Sequence, residues 1–316
     1  MLRAMEAITF EPLYMERVWG GRELENVYHR QLPKPGVPYG ESWEISDRPA
    51  EQSVVRGGAL DGMTLHELWT TRREELFGPG YDKHADFPLL IKVLDARDDL
   101  SIQVHPPASK AKELGGDPKT EMWFIADAVP GAKLYAGLKR GVTREAFETS
   151  IRNGTVETCT HAISPSVGDS IFIPSGRLHA IGAGFLIHEI QQNSDTTYRV
   201  FDWNRPGLDG KPRELHIDQS MASIDFHDFE PTMDAPDGET LAECPYFKTC
   251  LHKLAGGEEL HNPDPLRFSI ISVVEGTLTS RNGRTFAKGS FLLLPRGGTP
   301  LQATGDTSVL QITLPV

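Results

Sequence analysis

Cysteine is scarce in this chain. Three occur in 316 residues, Cys159, Cys244 and Cys250, an odd number at wide spacing that suits neither a disulfide framework nor a thiolate metal site. Separate thiols and a reducing, cytoplasmic compartment are the expectation. Basic charge is also short: 32 Lys and Arg stand against 44 Asp and Glu, a formal net charge of −12. Nucleic acid and anionic membranes need a positive face, so neither is expected as a partner. A small anionic substrate would need a local cluster of cations. No run approaches the roughly 18 uninterrupted apolar residues of a membrane span. Residues 1–21 hold no apolar core ending in a small-residue cleavage site, so no leader peptide is expected.

Helical periodicity is sparse as well. It appears at Thr64–Leu76, where Leu65, Leu68, Trp69 and Leu76 recur at helical offsets, and at Thr143–Asn153, which opens like a capped helix. What is abundant is short apolar runs rich in Val, Ile and Phe and stopped by Gly, Pro and Asp, the pattern of strands. Phe87–Ala96, Leu100–His105, Glu121–Ala126, Ser170–Pro174, Phe185–Gln192, Thr196–Trp203, Arg267–Gly276 and Ser290–Pro295 all read this way. The expected fold class is mainly β, with helices inserted between strands.

One segment is echoed. GDSIFIPSGRLHAI (Gly168–Ile181) and GSFLLLPRGGTPLQ (Gly289–Gln302) share a glycine, a strand, a proline six residues after the glycine, and a second glycine two further on. Such self-similarity predicts two copies of one β unit. His179 stands five residues after Pro174, and Pro300 stands five after Pro295. A proline side chain cannot bind a metal, so the second copy reads as a structural or dimerising module, with a homodimer left open. Phe229–Thr240 is polar with two prolines and suits a connector. The expected division is residues 1–232 as a metal-binding catalytic domain and 233–316 as a metal-free second domain.

The stretch Gly168-x5-Pro174-x-Gly176-x2-His179 resembles the second motif of the cupin superfamily, small double-stranded β-barrels that often hold a metal. Two cupin-type jelly-roll barrels are the implied architecture. The family motif usually continues to an Asn where this chain has Ala183. Its partner is Gln103-Val104-His105. Strand alternation puts Ser101, Gln103 and His105 on one face, so the last two can chelate one ion. Glu121, beginning the next strand, supplies the carboxylate, and Pro106–Thr120 between them looks like a helical insertion. Gln103 is a conditional fourth ligand, because amides bind zinc poorly. His29, His66, His84, His161, His227, His252 and His261 lack such context and read as surface or satisfied core residues. His188 and Glu189 face opposite sides of a strand and read as structural.

Together these segments are similar to the type I mannose-6-phosphate isomerases, in their short bacterial form. The matching stretches are ERVWGG (Glu16–Gly21), GESWEIS (Gly40–Ser46), LLIKVLDARDDLSIQVHP (Leu89–Pro106), KTEMW (Lys119–Trp123), IPSGRLHAIGAG (Ile173–Gly184) and EIQQNSDTTYRVFDWNR (Glu189–Arg205). The resemblance implies interconversion of mannose 6-phosphate and fructose 6-phosphate through an enediol, with one Zn2+ per chain. It places zinc ligands at His105, Glu121 and His179 with Gln103 as the fourth, and an active-site arginine at Arg199. It also places Lys92 and Ser101 at the substrate phosphate end, and a pocket lysine at Lys119. Thr120 departs from the proline of longer members. Lys119, beside the metal, is expected to have a lowered proton affinity and to shuttle protons. Two other readings of the same ligands stand: a cupin non-haem iron oxygenase using His105, Glu121 and His179, and a sugar-binding module without turnover.

Overall fold

Leu89–Ala96, LLIKVLDA, is buried along its whole length, which is why its sequence is an almost continuous apolar run rather than an alternating one. Runs of this kind shape the molecule. The computed structural model describes residues 5–82 and 85–315, so of the histidines named above His84 lies outside the described residues. Within them the chain divides into two compact units: one made of Tyr14–Ser42 and Leu90–Asp234, the other of the residues up to Leu13, Trp43–Leu89 and those from Ala235 on. The connector Phe229–Thr240 holds no helix or strand before Thr240 and contains the last crossing between units.

Eleven strands run to residue 201. They are β1 (Leu13–Gly21), β2 (Tyr39–Ile45), β3 (Leu89–Ala96), β4 (Ile102–Val104), β5 (Glu121–Ala128) and β6 (Leu134–Leu138), then β7 (Thr160–Ile163), β8 (Ser170–Ile173), β9 (His179–Ile181), β10 (Phe185–Gln192) and β11 (Tyr198–Phe201). They form a six-stranded sheet in the order β1-β2-β3-β10-β5-β8 and a five-stranded sheet in the order β11-β4-β9-β6-β7. Their apolar side chains build two clusters: one joins Trp123, Ile125, Ile171 and Ile187 of the first sheet to Leu134, Ala136 and Ile181 of the second, and the other gathers around Ile102, Val104, Leu178 and Val200.

Nine further strands follow: β12 (Thr240–Glu243), β13 (Lys248–Leu254), β14 (Glu259–Leu260), β15 (Ser269–Glu275), β16 (Thr277–Thr279), β17 (Thr285–Ala287), β18 (Phe291–Leu294), β19 (Leu301–Ala303) and β20 (Thr307–Thr313). Their orders are β12-β13-β20-β15-β18 and β14-β19-β16-β17. Ile271, Val273, Leu292, Leu294, Leu301 and Val309 fill the interior.

The described residues hold six short α-helices: α1 (Glu23–Asn26), α2 (Leu65–Thr71), α3 (Arg73–Leu76), α4 (Ala108–Ala111), α5 (Arg144–Asn153) and α6 (Ile217–Ser223). The mainly β expectation holds. Thr143 caps α5 by accepting the Ala146 N–H, as its sequence suggests. The single helix expected over Thr64–Leu76 is instead two. Thr64 and Glu67 form a capping box at its start. The hydroxyls of Thr70 and Thr71 donate back to the carbonyls of His66 and Glu67 at 2.7 and 2.6 Å, and at Arg72 the backbone leaves helical geometry with φ −129°. The insertion after Pro106 holds one helical turn, α4. No described helix is long and apolar enough to cross a membrane.

Candidate metal centre and substrate cavity

Strand register assembles the centre. Gln103 of β4 lies opposite His179, the first residue of β9. His105 follows β4 directly, and its carbonyl accepts the Gly176 N–H at 2.9 Å, pinning the turn that leads into β9. Gly176 has φ 96°, a left-handed conformation that side chains other than glycine resist. Glu121 opens β5 in the other sheet. Two sheets therefore deliver His105, Glu121 and His179 to one point, all three buried, with one donor atom from each within 4.8 Å of the others.

The donors are prepared as ligands. His105 Nδ1–H donates to the Thr196 carbonyl at 2.8 Å and His179 Nδ1–H to the Arg177 carbonyl at 2.9 Å. Both imidazoles thereby present an unprotonated Nε2 inward. Glu121 Oε1 stands 3.7 Å from His105 Nε2 and 3.6 Å from His179 Nε2. These gaps exceed hydrogen-bond lengths, and His105 Nε2 and Glu121 Oε1 are buried without a hydrogen-bond partner. Donors about 2.0–2.1 Å from one tetrahedral ion stand about 3.3–3.4 Å apart, so the cluster fits a single metal ion. Electrostatics agree. Burial, with Lys119 second, pushes the His105 imidazole down to about 3, and burial also lowers His179. For Glu121 burial acts upward, but Lys119 and the two histidines outweigh it and hold the carboxyl well below the usual range.

Gln103 presents its amide nitrogen, not its oxygen, to His179 Nε2 at 3.3 Å, while its oxygen accepts from Ser101 Oγ at 3.1 Å. Rotating the amide by half a turn exchanges the two atoms.

Gln103, which touches His179, and Lys119, which pairs with Glu121, line a cavity of about 510 Å³, whose wall also carries Lys92, Ser101 and Arg199. All five sequence candidates other than the three metal donors thus share one space. Its charge pattern differs from the expected positive patch. Lys92 Nζ is surrounded by Glu41, Glu189 and Asp195 at 3.6, 3.7 and 3.7 Å. Lys119 Nζ lies 2.8 Å from Glu121 Oε2 and 3.7 Å from Glu189. Burial works to lower the Lys119 ammonium, and with no ion on Glu121 that carboxylate and Glu189 together raise it above its ordinary value. Arg199 has no carboxylate within ion-pair distance among the described residues, and its buried Nε has no hydrogen-bond partner.

Several cavity residues escaped the sequence reading. Glu189, read as structural, is buried, accepts the Trp123 indole N–H at 3.0 Å and faces both lysines; burial, then Glu121, raises its carboxyl to about 6. Arg17 on β1 holds Glu41 at 2.8 Å. Arg213, beyond β11, also reaches the wall. The alternation of β10 holds the one signal available: His188 points to the core, where it meets the Tyr28 hydroxyl at 2.5 Å, so Glu189 must point the other way.

Residues 8–122 match the family model described as phosphomannose isomerase type I, catalytic domain. The mannose-6-phosphate isomerase ManA of Bacillus subtilis is 38% identical over 304 residues, 92% of this chain and 94% of that protein. The mannose-6-phosphate isomerase of Streptococcus mutans is 33% identical over 315 residues, 95% and 97% of the two chains. A crystal structure of mannose 6-phosphate isomerase from Bacillus subtilis superposes with a TM-score of 0.86 at 32% identity, covering 98% of this chain and 100% of the other. With the chain matched almost end to end in sequence and in fold, it belongs to the type I mannose-6-phosphate isomerase family.

Proposed function

We propose that this protein is a zinc-dependent aldose–ketose isomerase that interconverts mannose 6-phosphate and fructose 6-phosphate through an enediol. The observation that carries the reading is the buried pair of neutral imidazoles and one carboxylate beside a cavity whose wall carries Lys92, Lys119 and Arg199 among carboxylates. Nitrogen and carboxylate oxygen donors in this number suit Zn2+ with an open position, and we assign one ion per chain to His105, Glu121 and His179, with Gln103 as fourth ligand after its amide turns. A bound zinc supplies Lewis-acid polarisation of the sugar oxygens, which makes the adjacent C–H more acidic.

The remaining work falls to side chains. The reaction moves a proton from C2 of the aldose to C1 of the ketose and shifts the hydroxyl protons to match, so nothing is lost or gained overall. Negative charge develops on the enediolate oxygens between these steps. Arg199 remains cationic at any working pH and, without a carboxylate partner, is available to that charge. Lys119, paired with Glu121 and Glu189, is a second cation at the cavity wall, placed to donate a hydrogen bond and to move a proton. Lys92 and Ser101 bind the substrate. Each of the two β regions is read as a cupin-type barrel, residues 1–232 carrying catalysis and 233–316 carrying no metal. An iron oxygenase would share the triad, but it would not call for Arg199, Lys92 and Lys119 around one cavity, and the relatives are isomerases.

A coupled assay on mannose 6-phosphate tests this, run before chelation, after chelation and after zinc is restored. Turnover should vanish and return. Full turnover in protein shown to be metal-free would overturn the metal role, and none in the zinc-loaded protein would overturn the activity.

A further inference from the structure

Beyond α6 the chain is engaged more closely than a connector requires. Residues 225–234 run along the outside of the segment that carries His179. Asp225 N–H donates to the Gly176 carbonyl at 2.8 Å, and the Asp228 carboxylate takes a two-pronged pair from Arg177, Nε at 2.8 Å and Nη2 at 3.0 Å. Asp234 N–H donates to the Ser170 carbonyl at 2.9 Å, and its carboxylate accepts the Phe172 N–H at 2.5 Å. The same residues are fixed to β6. Leu138 N–H donates to the Asp228 carbonyl and Glu230 N–H to the Leu138 carbonyl, both at 2.9 Å. A Cβ on Gly137 would stand 2.5 Å from Pro231 and 2.8 Å from the Asp228 carbonyl, so a side chain there would push this stretch away. The stretch is a strap over β8 and the turn that follows it.

Arg177 is where the strap reaches the metal donors. It fills one of the two unspecified positions between Gly176 and His179, yet all three of its guanidinium nitrogens are engaged. Nε and Nη2 hold Asp228, and Nη1 donates to the Phe172 carbonyl at 2.7 Å. The side chain therefore ties the strand before the turn to the strap beyond it. The pair is largely shielded, with side-chain exposures of 16% and 18%, and its two-pronged geometry sets it apart from surface pairs that contribute little.

The backbone of the same residue does different work. The Arg177 carbonyl accepts the His179 Nδ1–H at 2.9 Å, which selects the tautomer and the ring plane that point Nε2 at Glu121. A carbonyl holds an imidazole still only if its own peptide cannot turn. On the far side of that peptide, the Leu178 carbonyl is fixed by the Gly137 N–H at 2.7 Å. On the near side, the guanidinium pair is the restraint.

We propose that the Arg177–Asp228 pair is a positioning device for the metal centre. It locks the turn whose carbonyl orients His179, and so sets how tightly and in what geometry the ion is held. The proposal rests on the metal assignment above. It makes Asp228, far in sequence from every donor, part of the metal site. Arg177 needs its fork for this role, because a lysine carries the charge but cannot bridge Asp228 and the Phe172 carbonyl in the same way.

Competition for zinc by a chromophoric chelator tests it, together with the visible absorption spectrum of the cobalt-substituted protein and denaturant unfolding of the metal-free protein. Asp228→Asn should weaken zinc binding about tenfold, the lower end of the effect of losing a group that holds a metal ligand, and should shift the cobalt bands. Arg177→Lys should do the same, and it carries the test should Asp228→Asn fail to fold. Asp228→Glu, which keeps the carboxylate, should recover most of the affinity. Glu230→Gln removes the exposed pair with Arg140 on the same strap and should leave affinity and spectrum unchanged. Wild-type affinity and spectrum in Asp228→Asn and Arg177→Lys would overturn the proposal even if the metal-free variants unfold more readily, since the pair would then serve stability alone. An equal loss of affinity in Glu230→Gln would overturn it as well. A wild type that takes up no zinc would overturn the metal assignment and this proposal together, whereas tight binding in the wild type and both variants would overturn this proposal alone.

Discussion

Gly168–Ile181 and Gly289–Gln302 use the same backbone device for different ends. Each opens on a glycine in a left-handed conformation, Gly168 with φ 92° and Gly289 with φ 82°. Each continues into a sheet-edge strand, β8 or β18, turns at a second left-handed glycine, Gly176 or Gly297, and enters a strand of the other sheet, β9 or β19. The geometry is a folding solution, and it is indifferent to chemistry. The difference lies in one side chain and its surroundings. His179 faces Glu121, which pairs with Lys119 in a charged interior, whereas Pro300 leads into a strand packed on Leu292, Leu294 and Val309. Lys92, Asp95, Lys119, Glu121, Glu189 and Asp202 are all buried; among the described residues from Ala235 on, no Asp, Glu, Lys or Arg is. One copy kept a closed apolar core, and the other carries paired charges and open metal donors.

The largest expected contrast follows from removing a donor on one side and a core side chain on the other. His105→Ala should abolish bound metal and lower turnover by at least about a thousandfold, consistent with loss of several kcal/mol of transition-state stabilisation. Leu292→Ala should cost about 2–5 kcal/mol of stability and leave the metal content unchanged, as read by elemental analysis. A Leu292→Ala protein that loses its metal would break the comparison.

A smaller effect tests whether the charged interior is held together by its own pairing. Glu121→Gln leaves Lys119 buried with Glu189 as its remaining partner, which should destabilise the metal-free protein by about 3 kcal/mol. Denaturant unfolding in the presence of a chelator measures this. No loss of stability would mean that the pair contributes nothing without the ion.

The third contrast is pH. Asp95 accepts the N–H groups of Glu23 and Leu24 at 2.6 and 3.3 Å, yet burial pushes its carboxyl up to about 6. A folded-state pKa raised above the unfolded value means stability that is full below about 3.8 and lost as pH rises through about 6. Between about pH 4 and about pH 7 the wild type should therefore lose about 2–3 kcal/mol relative to Asp95→Asn. Parallel stability curves for the two proteins would contradict the shift.

The legible part of the site was the part written in local spacing. His105 two residues after Gln103, and His179 placed by Gly168, Pro174 and Gly176, identify themselves because one strand and one turn determine where they point. Glu121 was legible because it begins a strand. Lys92 was visible as a cation in an apolar run, but its partners Glu41, Glu189 and Asp195 come from segments far apart in the chain, and only pairing of β2, β3 and β10 unites them. For the same reason the pairing of Lys119 with Glu189 could not be read from its neighbours Pro118 and Thr120. Arg213 sits in a polar, glycine-rich turn that looks like an ordinary surface connection until its ion pair with Asp202 is seen. In the fold, strands and the α5 cap followed from pattern, while the break at Arg72 depended on hydroxyls of Thr70 and Thr71 competing for helix carbonyls.

The central claim is that one copy of the repeated unit holds the metal and the other cannot. Elemental analysis of wild type, His179→Ala and Pro300→His, each purified with zinc and freed of loose ion, tests it most directly. Ratios of about one, zero and one ion per chain are predicted, because a lone histidine in an apolar interior lacks the further donors a zinc site needs. Retention of the ion in His179→Ala, or a second ion in Pro300→His, would contradict it.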